Sequence, residues 1–400
     1  MVLSMTAQVK KLTDFEYKDH TLDTLWVILD DKHSPPVLPL LYTTYLSRYG
    51  IVYEAKELSD KTSRKRIKSL EARDVSDNTI RSYVYNLAQF LTYLRYYQTT
   101  HQTPRMHASS ACPEKVVNHY INHILSCNLE SSRSLNNHRS ALVAYFNWLD
   151  YMEISPRLDL KIYRKTRQTM AEMSKKQNYI QYVSRYWRME LLKACGTLGE
   201  KLMMRMGYDV GLRTSELMGL RVSGKYNLTD LFTQLESTDF SHVEQFRYWL
   251  QGKYTKGGKS RWIYFDRDWL IDMKRYYDTE RKWLANQTGH NDSSLFLRTD
   301  QRFGGTGIGE EQASRVFRKR AQQAGLNPLL SFHDLRHTFA TELFHTELAG
   351  PDGRETRSES AALIVVAQRL GHTFRNDGKA PPVTTRYIRM RLQMQEMEAA

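Results

Sequence analysis

Apolar residues between positions 80 and 149 recur every three or four residues, in three blocks separated by polar stretches. The blocks cover residues 80–94, 116–125 and 135–149. This is the period of an α-helix with one buried face, and it differs from the two-residue period of a strand. Three such helices joined by polar loops predict a compact, all-helical domain over residues 75–160.

The regions on either side of this domain are expected to differ from each other. Residues 1–74 are interrupted by Pro35, Pro36 and Pro39, and we expect a helical N-terminal extension or arm there. Residues 179–400 predict a second, helix-rich domain that contains one β-hairpin. The expected fold class is therefore mainly α with a small β-sheet.

A run of basic residues lies between the two domains, over residues 161–178, where Glu172 is the one acid. Cations in such excess release the counterions of a polyanion when they bind it. We expect a linker that lies along a phosphate backbone. Its expected contacts with DNA are Lys161, Arg164, Lys165, Arg167, Lys175 and Lys176.

Two adjacent glycines predict the hairpin of the second domain. Residues 246–255 and 260–265 can pair as strands on either side of Lys-Gly-Gly-Lys at 256–259. Gly-Gly tolerates the positive φ angles that a tight primed turn requires. Lys256 and Lys259 would then lie at the hairpin tip.

The charge of the chain indicates the class of partner. Its 400 residues carry a formal net charge of +14, so DNA or RNA is the expected partner. The alternative is a soluble protein whose basic surface is only solvated, because such a surface would give the same net charge. Cys112, Cys127 and Cys195 are too few and too scattered for a disulfide framework or a zinc module. There is no signal-peptide pattern, and the apolar run 361–367 is too short to span a bilayer. We expect no membrane contact and a cytoplasmic, nucleoid-associated protein.

Six residues in the second half of the chain suit chemistry on a phosphodiester, namely Arg213, Lys256, His333, Arg336, His372 and Tyr387. Without a metal, this exchange needs cations on the non-bridging oxygens, a nucleophile, and an acid for the leaving 5′ oxygen. Arginine suits the first task because its planar fork stays charged and can hold two oxygens. We expect Thr214 or Ser215 to cap a helix after Arg213, and Glu216 to fix the orientation of that arginine. An ordinary surface Arg–Glu pair is the competing interpretation.

His333 and Arg336 stand three residues apart on a predicted helix that Ser331 can cap, so both project from one exposed face. The stretch from His333 to His337 also resembles the zinc-protease pattern H-E-x-x-H. Arg336 argues against zinc, because a fixed cation on the ligand face repels a dication. We therefore expect an anion site and no metal here, with a structural His–Arg pair as the plainer alternative.

The other three candidates depend more on their context. His372 follows Gly371, a predicted helix C-cap, and can donate to a phosphate oxygen. Lys256 can protonate the leaving oxygen, and Lys259 across the same turn is its rival. Tyr387 is the candidate nucleophile, and its phenol, with an ordinary pKa of about 10, needs nearby cations or a base. The plainer interpretations are a helix cap, a solvated turn lysine and a core or interface tyrosine.

Together, the motifs and their order resemble the tyrosine recombinases, the phage integrase family. The motifs are Gly-Leu-Arg-Thr-Ser-Glu-Leu at 211–217, Thr-Lys-Gly-Gly-Lys at 255–259, His-Asp-Leu-Arg-His at 333–337, Leu-Gly-His at 370–372 and Thr-Arg-Tyr-Ile at 385–388. The resemblance covers residues 75–395, and residues 76–83 look like the opening helix of the family's core-binding domain. Arg81 in that helix and Lys259 in the hairpin are further expected DNA contacts.

The resemblance implies a mechanism for the six residues. Tyr387 would attack the scissile phosphate to form a 3′-phosphotyrosyl link, which leaves a free 5′ hydroxyl. The other implied roles are transition-state stabilisation by Arg213, Arg336 and His372, assistance in proton transfer by His333, and general acid catalysis by Lys256. No metal or nucleotide cofactor is implied, because the covalent link preserves the energy of the broken bond.

The resemblance also implies partners. They are double-stranded DNA with a specific recombination site, three further copies of the chain in a homotetramer on two paired sites, and accessory DNA-bending or directionality proteins. A bacterial or mobile-element origin is implied as well. The segments 350–360 and 375–382 lengthen the usual spacing between Arg336, His372 and Tyr387, and we expect them to be inserted loops.

Two other functions stay open at this point. One is a DNA-binding accessory protein that keeps the fold without the chemistry. The other is a type IB topoisomerase-like enzyme, which would relax supercoiled DNA without a paired site.

Overall fold

Helices and three two-stranded antiparallel sheets make up the computed structural model of this chain. It describes residues 7–17, 20–59, 66–101, 109–129, 131–173, 181–349, 354, 356–372, 384 and 386–399. The chain divides into two units, Met1–Asn178 and Tyr179–Ala400. The predominance of helix confirms the expected fold class.

The first unit begins with two hairpins on either side of one helix. They are β1 (Gln8–Tyr17) with β2 (His20–Leu29), α1 (Val37–Tyr49), and β3 (Ile51–Ser59) with β4 (Arg66–Asp74). The expectation of a helical extension over residues 1–74 is therefore wrong outside α1. Trp26, Val27 and Ile28 are residue types that favour a pleated, half-buried strand, which accounts for β2.

The three predicted amphipathic blocks are helical. They form α2 (Asp77–His101), then α3 (Glu114–His119) running through a π-helical stretch (Tyr120–Leu125) into α4 (Ser126–Asn128), and α5 (Ser132–Tyr151). Val84 and Leu87 of α2 pack in one buried core with Ile121 and with Leu142 and Phe146 of α5. The apolar stripe of each helix therefore faces the same interior, as its period predicts.

The described part of the basic segment after α5, residues 161–173, packs within the first unit. Residues Arg164–Met173 form α6, and Leu160, Ile162 and Met170 are buried in the core that contains α2 and α5. These apolar side chains, spaced among the cations, hold the segment in place. Lys175 and Lys176 lie outside the described residues.

The second unit is a helical assembly with one hairpin. Its elements are α7 (Arg185–Ala194), α8 (Leu198–Tyr208), α9 (Thr214–Leu217), α10 (Leu228–Glu236), β5 (Gln245–Leu250), β6 (Arg261–Asp266), α11 (Arg267–Tyr276), a π-helical stretch (Tyr277–Arg281), α12 (Lys282–Thr288), α13 (Gln312–Gln323), α14 (Phe332–Leu348), α15 (Glu359–Leu370) and α16 (Arg386–Ala399). Helix α14 contacts α8 and α13, and also α15 and α16. Leu335 belongs to the larger core, whereas Phe344 belongs to a smaller one with residues of α15 and α16. This helix therefore carries its polar residues between two packed regions.

The predicted hairpin is confirmed, with shorter strands than expected. A 3₁₀ turn over Gly252–Tyr254 follows β5, and the φ angles of Gly257 and Gly258 are +87° and +71°. The amide of Gly252 donates to Ser260 Oγ at 2.8 Å, which ties the two sides of the tip together. Lys256 and Lys259 are both exposed at this tip.

The two expected inserted loops fall largely outside the described residues. This holds for all of 375–382 and for positions 350–353 and 355. Among the helices that the structure does describe, none has both the length and the apolar character that a bilayer span requires.

Candidate active site

Arg213 is fixed by the short helix α9 that follows it. It is the N-cap of this helix, and its amide donates to Glu216 Oε2 at 2.8 Å. Its Nη1 donates to Oε1 of the same carboxylate, also at 2.8 Å. The expectation that Thr214 or Ser215 caps the helix is wrong, because both lie inside it. The prediction that Glu216 orients Arg213 is confirmed.

Glu216 joins three arginines, although its side chain has no solvent exposure. Arg261 donates through Nη1 and Nη2 to the two carboxylate oxygens at 2.8 and 2.9 Å, and Arg336 Nη1 lies 3.2 Å from Oε2. Burial alone would raise the pKa of Glu216, but Arg261, Arg336 and Arg213 outweigh it and lower that pKa to about 2. The carboxylate is therefore ionised at neutral pH. Its single negative charge balances one of the three arginines, so the cluster keeps a net charge of two.

Arg336 is buried in the middle of the site. Ser331 is the N-cap of α14, as predicted, and its amide donates to Asp334 Oδ2 at 2.8 Å. The expectation of an exposed helix face is wrong for Arg336, whose side chain is 1% exposed. Its guanidinium donates to the carbonyl of Gly211 and, at 2.6 Å, to that of Leu370. Burial lowers the pKa of Arg336 to about 9, which leaves it charged at neutral pH.

Arg336 thus joins the turn before α9 to the end of α15. The glycine in that turn, Gly211, has a φ angle of +73°, and a Cβ on it would come within 2.3 Å of Phe339 Cδ1. The turn can pack this closely on α14 only because it carries a glycine.

Two histidines on α14 flank the arginine cluster. His333 is exposed at one edge, and partial desolvation with the positive charges of Arg336 and Arg213 lowers its pKa below the usual value. The positive charge of Lys256 also contributes to lowering the pKa of His333. The ring of His337 lies edge-on to that of His333, with centroids 4.4 Å apart.

His372 enters the site from the end of α15. Gly371 is the C-cap, as predicted, with a φ angle of +65° that lets the chain turn back. The Nδ1 of His372 lies 2.9 Å from Thr384 Oγ1. Desolvation and the charges of Arg336, Arg213 and Arg261 lower the pKa of His372 to about 4, so it is neutral at pH 7.

Tyr387 lies next to the cluster but has only 1% of its surface exposed. It is the second residue of α16 and packs with Ala340, Phe344 and Val366 of α14 and α15. Its Oη lies 3.2 Å from His337 Nδ1. DNA cannot reach the phenol in this position.

The structure brings five of the six predicted residues into one region and places Lys256 on the exposed hairpin beside it. The sequence motifs assigned no role to Arg261, and they indicated His337 only as a metal ligand. For both residues, the local sequence pattern could have indicated a place in the site. Arg261 alternates with the buried Ile263 and Phe265 on β6, and His337 stands four residues after His333 on one helix face.

The expected DNA contacts are on the surface of their units wherever the structure describes them. Arg81 lies over Tyr85 of α2, with its guanidinium carbon 6.0 Å from the ring centroid. All of these described residues are exposed, namely Arg81, Lys161, Arg164, Lys165, Arg167 and Lys259. Lys161 forms an ion pair with Asp159. Their contact with DNA stays a prediction.

Two family models match this chain. The phage integrase family model matches residues 188–349, and the model of the phage integrase N-terminal SAM-like domain matches residues 67–151. Together they cover more than half of the sequence. His372 and Tyr387 lie beyond the matched residues. His372 follows the segment 350–360, and Tyr387 follows both this segment and the segment 375–382.

Curated relatives and a solved structure are similar to this chain. Tyrosine recombinase XerD of Chlorobaculum tepidum is 30% identical over 176 residues, which is 44% of this chain and 45% of the relative. XerD of Mycobacterium tuberculosis is 29% identical over the same length. The chain spans about half the length of the curated relatives it matches. The XerH site-specific recombinase, solved bound to difH in a pre-cleavage complex, has the same fold, with a TM-score of 0.52 at 16% identity over 79% of this chain and 78% of that one.

Proposed function

Since this chain belongs to the phage integrase family, we propose that it is a site-specific DNA recombinase that cleaves and rejoins strands through a 3′-phosphotyrosyl intermediate. The observation that supports this most is the pairing of Arg213 and Arg336 on one buried carboxylate, with His333 and His372 beside them. Two guanidinium groups held in fixed positions can stabilise the charge that develops on the non-bridging oxygens of a phosphate.

The proposed cleavage step uses the remaining residues. Tyr387 Oη bonds to phosphorus while the bond from phosphorus to the 5′ oxygen breaks. His333, neutral at pH 7 because of its lowered pKa, accepts the phenolic proton. Lys256 gives a proton to the leaving 5′ oxygen, and His372 donates to a phosphate oxygen. The reverse sequence rejoins the strand.

Tyr387 has to leave its packing before it can react. Its ring is buried between α14 and α15 and contacts His337, not a phosphate-accessible surface. We infer that the start of α16 moves when DNA binds, which brings the phenol to the arginine pair.

The proposed partners follow from the family and from charge. The net charge of +14 suits double-stranded DNA, and XerH was solved with its DNA substrate. We propose a homotetramer on two paired recombination sites, accessory DNA-bending or directionality proteins, a bacterial mobile element as the source, and action at the nucleoid in the cytoplasm.

Covalent trapping on genomic DNA tests the activity, because the recombination site need not be mapped beforehand. The protein is incubated with fragmented genomic DNA of its host and denatured with detergent, and DNA that remains protein-linked is recovered and sequenced. We expect adducts at a defined junction, and we expect Tyr387→Phe to abolish them. Tyr186→Phe is the matched control, because Tyr186 is a tyrosine of the same unit that is 64% exposed and outside the site.

Other outcomes would favour the alternatives. Adducts that persist in Tyr387→Phe would contradict the choice of nucleophile. Specific binding with no adduct, even on a nicked suicide duplex, would favour a non-catalytic accessory protein. Relaxation of a supercoiled plasmid that lacks the mapped junction would favour a topoisomerase-like enzyme.

A further inference from the structure

Arg261 is an arginine on the inward side of a strand. Its neighbours at alternate positions of β6, Ile263 and Phe265, are buried in the larger core, and Arg261 itself is 10% exposed. Both of its terminal nitrogens donate to Glu216, so it makes the most symmetrical contact with that carboxylate. Such a two-point contact fixes orientation as well as distance.

Arg261 also packs on the end of α15. A Cβ at Gly371 would lie 2.9 Å from Arg261 Cδ and 3.1 Å from Nη1, so this approach requires glycine. The next residue is His372. The side chain of Arg261 therefore touches two of the motifs that carry the proposed site.

The placement of Arg261 is not the one that stability alone would select. Its Nε is buried, with no hydrogen-bond partner among the described residues. A buried donor left unpaired opposes folding, and such groups in native proteins often mark functional positions. Placing a third cation beside Arg213 and Arg336 adds repulsion in the same small volume.

The geometry gives this third cation a definite effect. Glu216 accepts from the amide and Nη1 of Arg213, from Nη1 of Arg336 and from both terminal nitrogens of Arg261. Without Arg261, the carboxylate would be free to turn towards the other two arginines and pair with them more completely. Their guanidinium groups would then be drawn away from an incoming phosphate.

We propose that Arg261 is a positioning residue for DNA cleavage, which holds Glu216 so that Arg213 and Arg336 stay directed at the scissile phosphate. The proposal rests on the recombinase function proposed above. Arg261 acts through Glu216 and does not contact the reacting atoms.

The test measures single-turnover formation of the covalent adduct on a nicked suicide duplex with the mapped junction sequence. We expect Arg261→Gln to slow adduct formation by about 10²-fold, the size of effect that a misplacement of about 1 Å produces, with unchanged affinity for the duplex. Arg261→Lys keeps the charge but loses the fork, so it should recover only part of the rate. Circular dichroism and the unfolding midpoint verify that each variant is folded.

Arg320→Gln is the matched control. Arg320 makes a similar two-point contact with Glu200, at 2.8 and 2.9 Å, in the same unit and with 15% exposure, but outside the site. We expect it to lower the unfolding midpoint while adduct formation by the folded protein keeps its wild-type rate constant. If Arg261→Gln slows the reaction no more than this control does, the inference is wrong.

A second substrate separates Arg261 from the general acid. In a duplex whose leaving 5′ oxygen is replaced by sulfur, the leaving group needs no proton. We expect this substrate to restore cleavage by Lys256→Ala, whereas Arg261→Gln stays slow because its defect concerns the phosphate oxygens. Full restoration of Arg261→Gln would overturn the inference. If the wild-type protein forms no adduct on either duplex, the proposed function itself fails, and the inference with it.

Discussion

Glu216 is a fully buried carboxylate that accepts hydrogen bonds from Arg213, Arg261 and Arg336. Removal of its charge would leave three cations facing one another in a poorly solvated space, a much larger cost than the loss of one surface ion pair. We expect Glu216→Gln to lower the free energy of unfolding by about 3 kcal/mol. Urea unfolding of the full chain, followed by circular dichroism, measures this loss.

A control at the same residue scale is Glu311→Gln. The carboxylate of Glu311 is 3.1 Å from Arg315, and both side chains are largely exposed. This change should cost less than about 0.5 kcal/mol, because exposed pairs contribute little. Equal losses in the two variants would contradict the role we assign to the buried carboxylate.

Glu216 should also determine part of the acid sensitivity of the protein. Its pKa is lowered from 4.5 to about 2 in the folded state, so the unfolded chain binds the proton more readily. The stability that it contributes is then complete above about pH 4.5 and is lost as the pH falls towards 2. We expect unfolding experiments across this window to show a smaller loss in Glu216→Gln than in the wild-type protein. If the free energy of unfolding falls equally with pH in the wild-type protein and in Glu216→Gln, this explanation is wrong.

At the scale of elements, the tip of the β5–β6 hairpin depends on Gly252. A Cβ there would lie 2.1 Å from the carbonyl oxygen of Gly258, so one side of the tip would have to move and carry Lys256 with it. We expect Gly252→Ala to cost about 1–3 kcal/mol in the free energy of unfolding, and to slow formation of the covalent adduct. Gly309→Ala is the control, since a Cβ at Gly309 meets nothing within 4 Å. Wild-type cleavage by Gly252→Ala would show that the tip does not position the lysine.

The sequence predicts an element well when a local pattern of residues is itself the physical cause of that element. The helical period of 80–94 and the Gly-Gly turn determine local geometry, and both predictions are confirmed. The strands of residues 8–74 were missed, because the prolines suggested broken helices and no tight-turn signal marked the hairpins. The contacts of Arg261 and Arg336 with Glu216 span 45 and 120 residues, and no local pattern reports which distant side chains the fold will bring together.

At the scale of the whole molecule, the net charge of +14 predicts an attraction to DNA. It does not indicate which surface binds the DNA. Helix α6 offers a defined candidate surface. Arg164, Lys165 and Arg167 are exposed on it, whereas Thr166 and Met170 are buried inside the first unit. The packing therefore presents three cations to solvent from a fixed backbone, which suits contact with successive phosphates.

Salt dependence tests whether these three cations bind the phosphate backbone. Each phosphate contact contributes about 0.9 to the slope of log affinity against log salt concentration, so replacement of all three by Gln should reduce that slope by about 2.7. Fluorescence anisotropy with the mapped duplex, over a range of salt concentrations, measures the slope. The control replaces Arg315, Arg318 and Lys319, which are equally exposed on α13 and remove the same charge. If only net charge matters, the α6 variant and the α13 variant should change the slope by the same amount. An equal change would therefore show that α6 is not a DNA-binding surface.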